Sequence, residues 1–259
     1  MSTQITTEQI KELRDSTGIS VMQCKRALEE AEGDMNKALA ILKKTSSGIA
    51  LKKADREVND GAVMIKSSGT KTVLVSLLCE TDFVSRNDDF TSLLSKLVDS
   101  ALANGVDKMK LEAKDMIDPI IQKTGENIQL GDIYEVTGPV VGSYVHNNKS
   151  GVIVSLEGGN ADLARDIAMH ITAMKPEYMT PREITDQARK TITEVFEKEV
   201  ASIDKPEDIK KKMLEGKINT YFKEKTLLDQ PFIKDGDVTV GLLLEKEKAM
   251  IKEVKRYSI

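Results

Sequence analysis

Histidine, cysteine and aromatic side chains are all scarce in this chain, and each scarcity narrows what it can do. Two cysteines, Cys24 and Cys79, occur in 259 residues. Neither has metal-ligand spacing to the other or to a histidine, so no metal or cofactor is expected, and a reduced, cytoplasmic protein is. With two histidines, His146 and His170, acid–base chemistry would have to centre on one of them. His170 shares a helical spacing with Ala168 and Ile171, where a packed imidazole is ordinary, and His146 precedes a polar turn that would shield a general base poorly. No GxxxxGK[ST] or GxGxxG phosphate loop is present, so the chain is not expected to bind nucleotide itself. No uninterrupted apolar run approaches the roughly 20 residues that span a bilayer. Met1 is followed by polar Ser-Thr-Gln rather than a basic and then hydrophobic stretch, so no secretory signal is expected. A formal net charge of -4 supplies no electrostatic pull toward nucleic acid.

What is present is a foldable chain, 40% hydrophobic and 31% charged, enough for one large or two to three small domains. Its most informative stretch is Cys79-Glu80-Thr81-Asp82-Phe83-Val84-Ser85-Arg86-Asn87. Upstream, Val73 to Leu78 is short and β-branched and reads as a strand. Downstream, Phe90, Leu93, Leu94, Leu97, Val98 and Ala101 recur at helical steps. The stretch is therefore a strand-to-helix corner, where side chains can project. Asp82 and Phe83 put a carboxylate beside a ring there, in a chain with only 4% aromatics. The structural alternative is that Ser85 or Asn87 caps the helix, Asp82 binds loop amides, and Phe83 folds inward onto Phe90.

Residues before this corner predict three short helices. Thr6 with Gln9 forms a capping-box pattern and Gly18 supplies a left-handed stop; Ser20 with Gln23 opens a second helix that ends near Gly33; Asp34 opens a third. A module of about 40 residues is near the lower limit for independent folding, and its small core suits docking better than catalysis. Thr45-Ser46-Ser47-Gly48 reads as a hinge and domain boundary. Beyond it the chain states one pattern twice. Ala62 to Ile65, a turn at Ser67 to Thr70, the Leu74 strand and the helix from Asp88 make one hairpin-plus-helix unit; Gly142 to Val145, a turn at Asn147 to Ser150, the Ile153 strand and a helix through Ala164, Ile167 and Ile171 make the other. Between them, Lys108 to Lys123 reads as helix interrupted at Pro119, and Gly125-Glu126-Asn127-Ile128 opens a strand. From Pro181 two helices joined at Asp204-Lys205-Pro206 form an antiparallel hairpin, with Pro206 suited to a first helical position. Val238 to Leu244 fits strand or helix, and the segment ending at Tyr257 reads as a last strand.

Thr81-Asp82-Phe83-Val84 in its setting, Leu13-Arg14-Asp15-Ser16-Thr17-Gly18, Cys24-Lys25-Arg26-Ala27-Leu28 and Gly125-Glu126-Asn127-Ile128 resemble the translation elongation factor Ts family, the guanine-nucleotide exchange factors of elongation factor Tu. The resemblance implies an α+β fold: a ubiquitin-associated-like three-helix module at 1–54, a core subdomain at 55–140 carrying the corner, a related antiparallel-sheet and helix subdomain at 141–180 and 226–259, and an inserted helical hairpin at 181–225. It implies a protein without covalent catalysis that promotes GDP release by disturbing the partner's magnesium and phosphate site through Thr81, Asp82, Phe83 and Val84. Further contacts with elongation factor Tu are carried to Arg14, Val21, Met22 and His146. For Met22 the alternative is an ordinary core methionine. The hairpin resembles the coiled-coil dimerisation module of some members, and whether a homodimer forms through it stays open.

The chain departs from the family at Ser20, where glycine is commoner, at Leu130-Gly131, where basic residues are usual, and at Ser76 and Leu78, where glutamate and asparagine are. The turn after His146 lacks the usual glycine. The C-terminal helix of longer members is expected to be absent. Two rival readings survive the sequence. A plain adaptor predicts a buried Phe83, and an enzyme built on Cys79 or His146 predicts a pocket around that residue.

Overall fold

The helix punctuation of the N-terminal sequence is present in the computed structural model, which describes residues 5–259; the polar Met1–Gln4 start lies outside the described residues. Thr6 and Gln9 complete a reciprocal capping box on α1 (Thr7–Thr17), and Gly18 ends it in the left-handed region at φ 68°. Ser20 accepts the Gln23 N–H at the start of α2 (Val21–Glu30), and Asp34 accepts two amides at the start of α3 (Met35–Lys53). Leu13, Ile19, Cys24, Leu28, Ala38 and Leu42 make the buried centre of this bundle.

The expected hinge at Thr45–Gly48 does not exist. α3 runs through it for 19 residues. Thr45 and Ser46 turn their hydroxyls back onto the carbonyls of Ile41 and Leu42, which lets small polar residues sit inside a helix. The Ser46 hydroxyl also meets the side-chain Oε1 of Gln122, and Ser47 donates to the Asp118 carboxylate at 2.6 Å. Small side chains here bring α3 against α6 (Val106–Thr124), so one helix serves two cores, with Ala38 and Leu42 in the first and Ala50 in the second. Pro119 does not interrupt α6 either. The lost backbone bond costs about 3 kcal/mol in an isolated helix, but Met109, Ala113, Ile117 and Ile121 hold the helix on the core from both sides of the proline.

By internal contacts the chain divides into two units. The first runs through Thr137 and includes 145–151 and 255–259. In it, β1 (Asp60–Ser68), β2 (Lys71–Cys79) and β3 (Ile128–Thr137) form an antiparallel sheet in that order. The β2–β3 register slips between Val75 and Leu77, and the bulge lets Ser76 donate to the Asp132 carbonyl at 3.0 Å. Packed against this sheet are α5 (Asp88–Asn104), capped by Asn87, and α6. Phe90, Leu94, Leu97 and Met109 are fully enclosed there, each worth about 1.5–3 kcal/mol of transfer free energy.

The second unit comprises 138–144 and 152–254. β4 (Val140–His146), β5 (Ser150–Glu157) and β8 (Met250–Ser258) form its sheet, the tip of the β4–β5 hairpin counting with the first unit. Its core is built by α7 (Ala161–Met174) and α10 (Val240–Lys246), with Leu227 and Phe232. The ambiguous Val238 to Leu244 run resolves into both forms: β7 (Asp235–Thr239), paired with the short β6 (Pro231–Phe232), gives way to α10, capped by Thr239. The hairpin consists of α8 (Asp186–Ala201) and α9 (Glu207–Lys225), with Pro206 as N-cap rather than first helical residue. Only Val200 and Phe222 are buried in it. Edge-on contacts among Phe196, Tyr221 and Phe222, with Arg189 over Phe222 at 5.2 Å, supply the rest of the packing. His170 is wholly buried. Its Nδ1 accepts the Ile233 N–H at 3.2 Å, so the proton sits on Nε2 facing Gln230 Oε1 at 2.9 Å. Among the described residues no helix is long and apolar enough to cross a membrane. The whole is an α+β fold, as the sequence leads one to expect.

Candidate functional site

The corner after β2 is not a plain loop. Thr81 is extended at φ -132°, and Asp82–Ser85 form one helical turn, α4, before α5 begins. Within that turn the side chains divide sharply. Val84 and Ser85 face inward, while Phe83 is 84% exposed. Phe83 therefore does not fold onto Phe90, which is fully buried. Asp82 pairs with Arg86 at 3.2 Å, one turn on along the surface.

A turn this short has almost no helix stability of its own. Thr81 makes no side-chain cap; its hydroxyl is turned toward Glu126 and donates to Oε1 at 2.6 Å. The other Glu126 oxygen accepts the backbone N–H groups of Glu80 and Thr81 at 3.1 and 3.0 Å. Glu80 returns the arrangement: its carboxylate accepts the Asn127 N–H at 2.6 Å and pairs with Arg56 at 3.3 Å. The Asn127 N–H, opposed by some burial and helped by Arg56, holds the Glu80 carboxyl below its ordinary range. Buried Asn127 then donates to the carbonyls of Ala54 and Arg56, tying the end of α3 to the same knot.

From the other side comes the β4–β5 turn. Asn147 and Asn148 are both left-handed, at φ 50° and 57°, a conformation asparagine tolerates better than most residues and one that explains how the turn manages without the expected glycine. The turn delivers Lys149, whose Nζ donates to Asp60, to the Gly61 carbonyl at 2.6 Å and to the Ser85 hydroxyl at 3.3 Å. Burial pushes Asp60 up, but the Lys149 ammonium, the Ser85 hydroxyl and the Gly61 N–H outweigh it and hold the carboxyl low. His146 opens the same turn, is exposed, and meets the Asn147 amide at 3.3 Å.

The residues singled out from sequence thus fall into two groups. Thr81, Asp82, Phe83 and Val84 share one turn, and the segment bearing His146 braces its base through Lys149. Arg14 and Val21 instead line a depression of about 410 Å³ with Gln122 and Lys123. Met22 is 60% exposed and is not a core methionine. Sequence reasoning missed Glu126, Lys149 and Asp60. For Glu126 the available signals were the Gly125-Glu126-Asn127-Ile128 string itself and its pattern, a carboxylate placed directly after a helix-stop glycine and before a strand. Cys79 offers little as a nucleophile. Burial first, then the charges of Asp60 and Glu126, push its thiol up to about 12, far from the thiolate that reactivity requires, and its Sγ–H points at the Thr81 carbonyl, 3.2 Å away.

Comparison with known proteins finds a family model described as Elongation factor TS, matching residues 80–259 and so opening at Glu80. Among curated relatives, Elongation factor Ts of Hahella chejuensis is 39% identical over 262 residues, covering 98% of this chain and 92% of the relative. Elongation factor Ts of Idiomarina loihiensis is 37% identical over 272 residues, covering 98% and 91%. The Hydrogenobaculum protein of the same name is 37% identical over 271 residues, covering 98% of both chains. On that evidence the chain belongs to the elongation factor Ts family, the translation elongation factors of that name.

Proposed function

We propose that this protein is a guanine-nucleotide exchange factor that binds the GDP form of elongation factor Tu and speeds GDP release without covalent chemistry. The observation that carries the reading is Phe83, an apolar ring 84% exposed on a turn whose base is held by buried and hydrogen-bonded groups. Burying such a ring in a partner is worth about 1.5–3 kcal/mol, and a ring fixed in direction delivers that energy without first being ordered. Pressed near the partner's phosphate loop, Phe83 displaces backbone while Asp82 competes for polar contacts beside it. Magnesium demands near-octahedral ligation through few protein groups, so a small displacement weakens it and the nucleotide leaves with it. Coupling is reciprocal: nucleotide weakens the exchange factor by the factor by which the exchange factor weakens nucleotide, and incoming GTP expels it. Residues 1–54 dock through Arg14, Val21 and Met22, and His146 adds a contact beside the corner.

An adaptor without exchange activity predicts a buried Phe83, and the exposure of the ring counts against that reading. The test is release of a fluorescent GDP analogue from elongation factor Tu with the wild type and with Phe83→Ala. Acceleration by the wild type and loss of most of it in the variant is the expected result. No acceleration by either protein sinks the reading.

A further inference from the structure

We propose that Glu126 is the positioning residue of the Phe83 turn, a role that rests on the exchange reading above. Four residues of helix, α4, carry a ring that makes no burial of its own. Something else must set the direction in which it points. Val84 and Ser85 seat the turn but leave its entry open, and the entry is where Glu126 acts. One carboxylate gathers three hydrogens there, the Thr81 hydroxyl at 2.6 Å, the Thr81 amide at 3.0 Å and the Glu80 amide at 3.1 Å. Bonds to a charged acceptor are the stronger kind, and these fix the two peptide planes from which α4 starts.

The mount is itself anchored. Glu126 follows Gly125, the left-handed stop of α6 at φ 78°, and precedes Asn127, which is 2% exposed and bound to the carbonyls of Ala54 and Arg56. Glu80 closes the loop by accepting the Asn127 N–H. The entry to the turn is thus referred to the ends of α3 and α6. The Asn87 cap of α5, which bonds the Asp89 amide, is an ordinary local one and takes no part in this.

Glu126→Gln keeps the shape but leaves one carbonyl oxygen where two carboxylate oxygens received three hydrogens. With saturating exchange factor, GDP-analogue release from elongation factor Tu is expected to slow on the order of tenfold, with far-ultraviolet circular dichroism unchanged. A merely structural role would add its loss to any other. Acting through the ring, Glu126→Gln is expected to cost nothing further in a Phe83→Ala background.

Wild-type release by folded Glu126→Gln, or a loss that multiplies in full with Phe83→Ala, overturns the proposal. No acceleration by the wild type overturns the exchange reading and this role with it, a wild-type rate from Phe83→Ala overturns the ring's part in exchange and this role, and a defective Phe83→Ala beside an undisturbed Glu126→Gln overturns this proposal alone. Should Glu126→Gln fail to fold, Thr81→Val removes the hydroxyl bond only, and undiminished release by that variant overturns the proposal equally.

Discussion

Both sheets hand the chain from a hairpin to a helix, and the two hand-overs are built on opposite plans. After β5 the chain turns through Gly158 and Gly159, at φ 77° and 67°, and Asn160 caps α7 at once. That corner is closed: a Cβ on Gly158 would stand 2.1 Å from the Lys248 carbonyl oxygen. After β2 the chain instead inserts α4 and leaves Phe83 84% exposed, with Glu126 and Lys149 holding the turn from below. The fold needs only the first plan, since it already joins a strand to a capped helix. An apolar ring kept in water and braced by ionic groups serves no packing purpose, which is why the second plan marks the place to look for a partner.

The sharpest way to break the comparison is at the closed corner. Gly158→Ala sets a methyl against backbone and a side chain into the left-handed region, and is expected to destabilise by about 3 kcal/mol or more, read as a fall in the urea midpoint. At the open corner the corresponding change is smaller and electrostatic. Lys149→Met keeps the apolar stem but leaves Asp60 without its ammonium, costing about 1–2 kcal/mol. Its pH dependence has a definite sign. Asp60 is held low in the fold, so its contribution is complete above the unfolded carboxylate value of about 3.9 and is lost as pH falls through the folded value below it. Lys149→Met should remove much of that acid-limb loss.

The second unit carries its acid sensitivity elsewhere. Burial holds His170 below its ordinary value, against a raising effect from Gln230, and the imidazole is neutral with Nδ1 committed as an acceptor. The unfolded imidazole takes up a proton near pH 6.5, so below that pH the unfolded state binds more protons and stability falls until the lower folded value is passed. Amide protection in 152–254, taken relative to the intrinsic exchange rate at each pH, should therefore fall as pH drops from about 6.5, while the Asp60 effect waits for far lower pH. His170→Gln should abolish the first of these slopes and leave the second.

How much of this was legible in the sequence follows from the range of the interactions. Caps act within three or four residues, so Thr6, Ser20, Asp34 and Gly18 were readable, as was the apolar period from Phe90 to Ala101. The hinge at Thr45–Gly48 and the break at Pro119 were misread because both rest on α3 packing against α6, a contact between residues some 70 positions apart. The corner motif was visible as a string, and its exposure was not: whether Phe83 turns in or out depends on how Val84, Ser85 and Glu126 seat the turn. Glu126 and Lys149 stayed hidden for the same reason, each meeting its partner across 45 and 64 or more positions.

The smallest effect is the one that separates the two corners most cleanly. Phe83→Ala is expected to change stability by no more than about 0.5 kcal/mol, because a ring 84% exposed has little native burial to lose. Its neighbour Val84, 9% exposed in the same turn, should cost about 1–3 kcal/mol when cut to alanine, the transfer free energy of its branch plus the space left behind. Urea melts of the two variants measure both. Equal losses would mean that Phe83 is part of the packing after all and that the open corner is merely a looser version of the closed one. A wide gap, with the exposed ring the silent member, leaves its place on the surface unexplained by the fold and assigns it to whatever the turn touches.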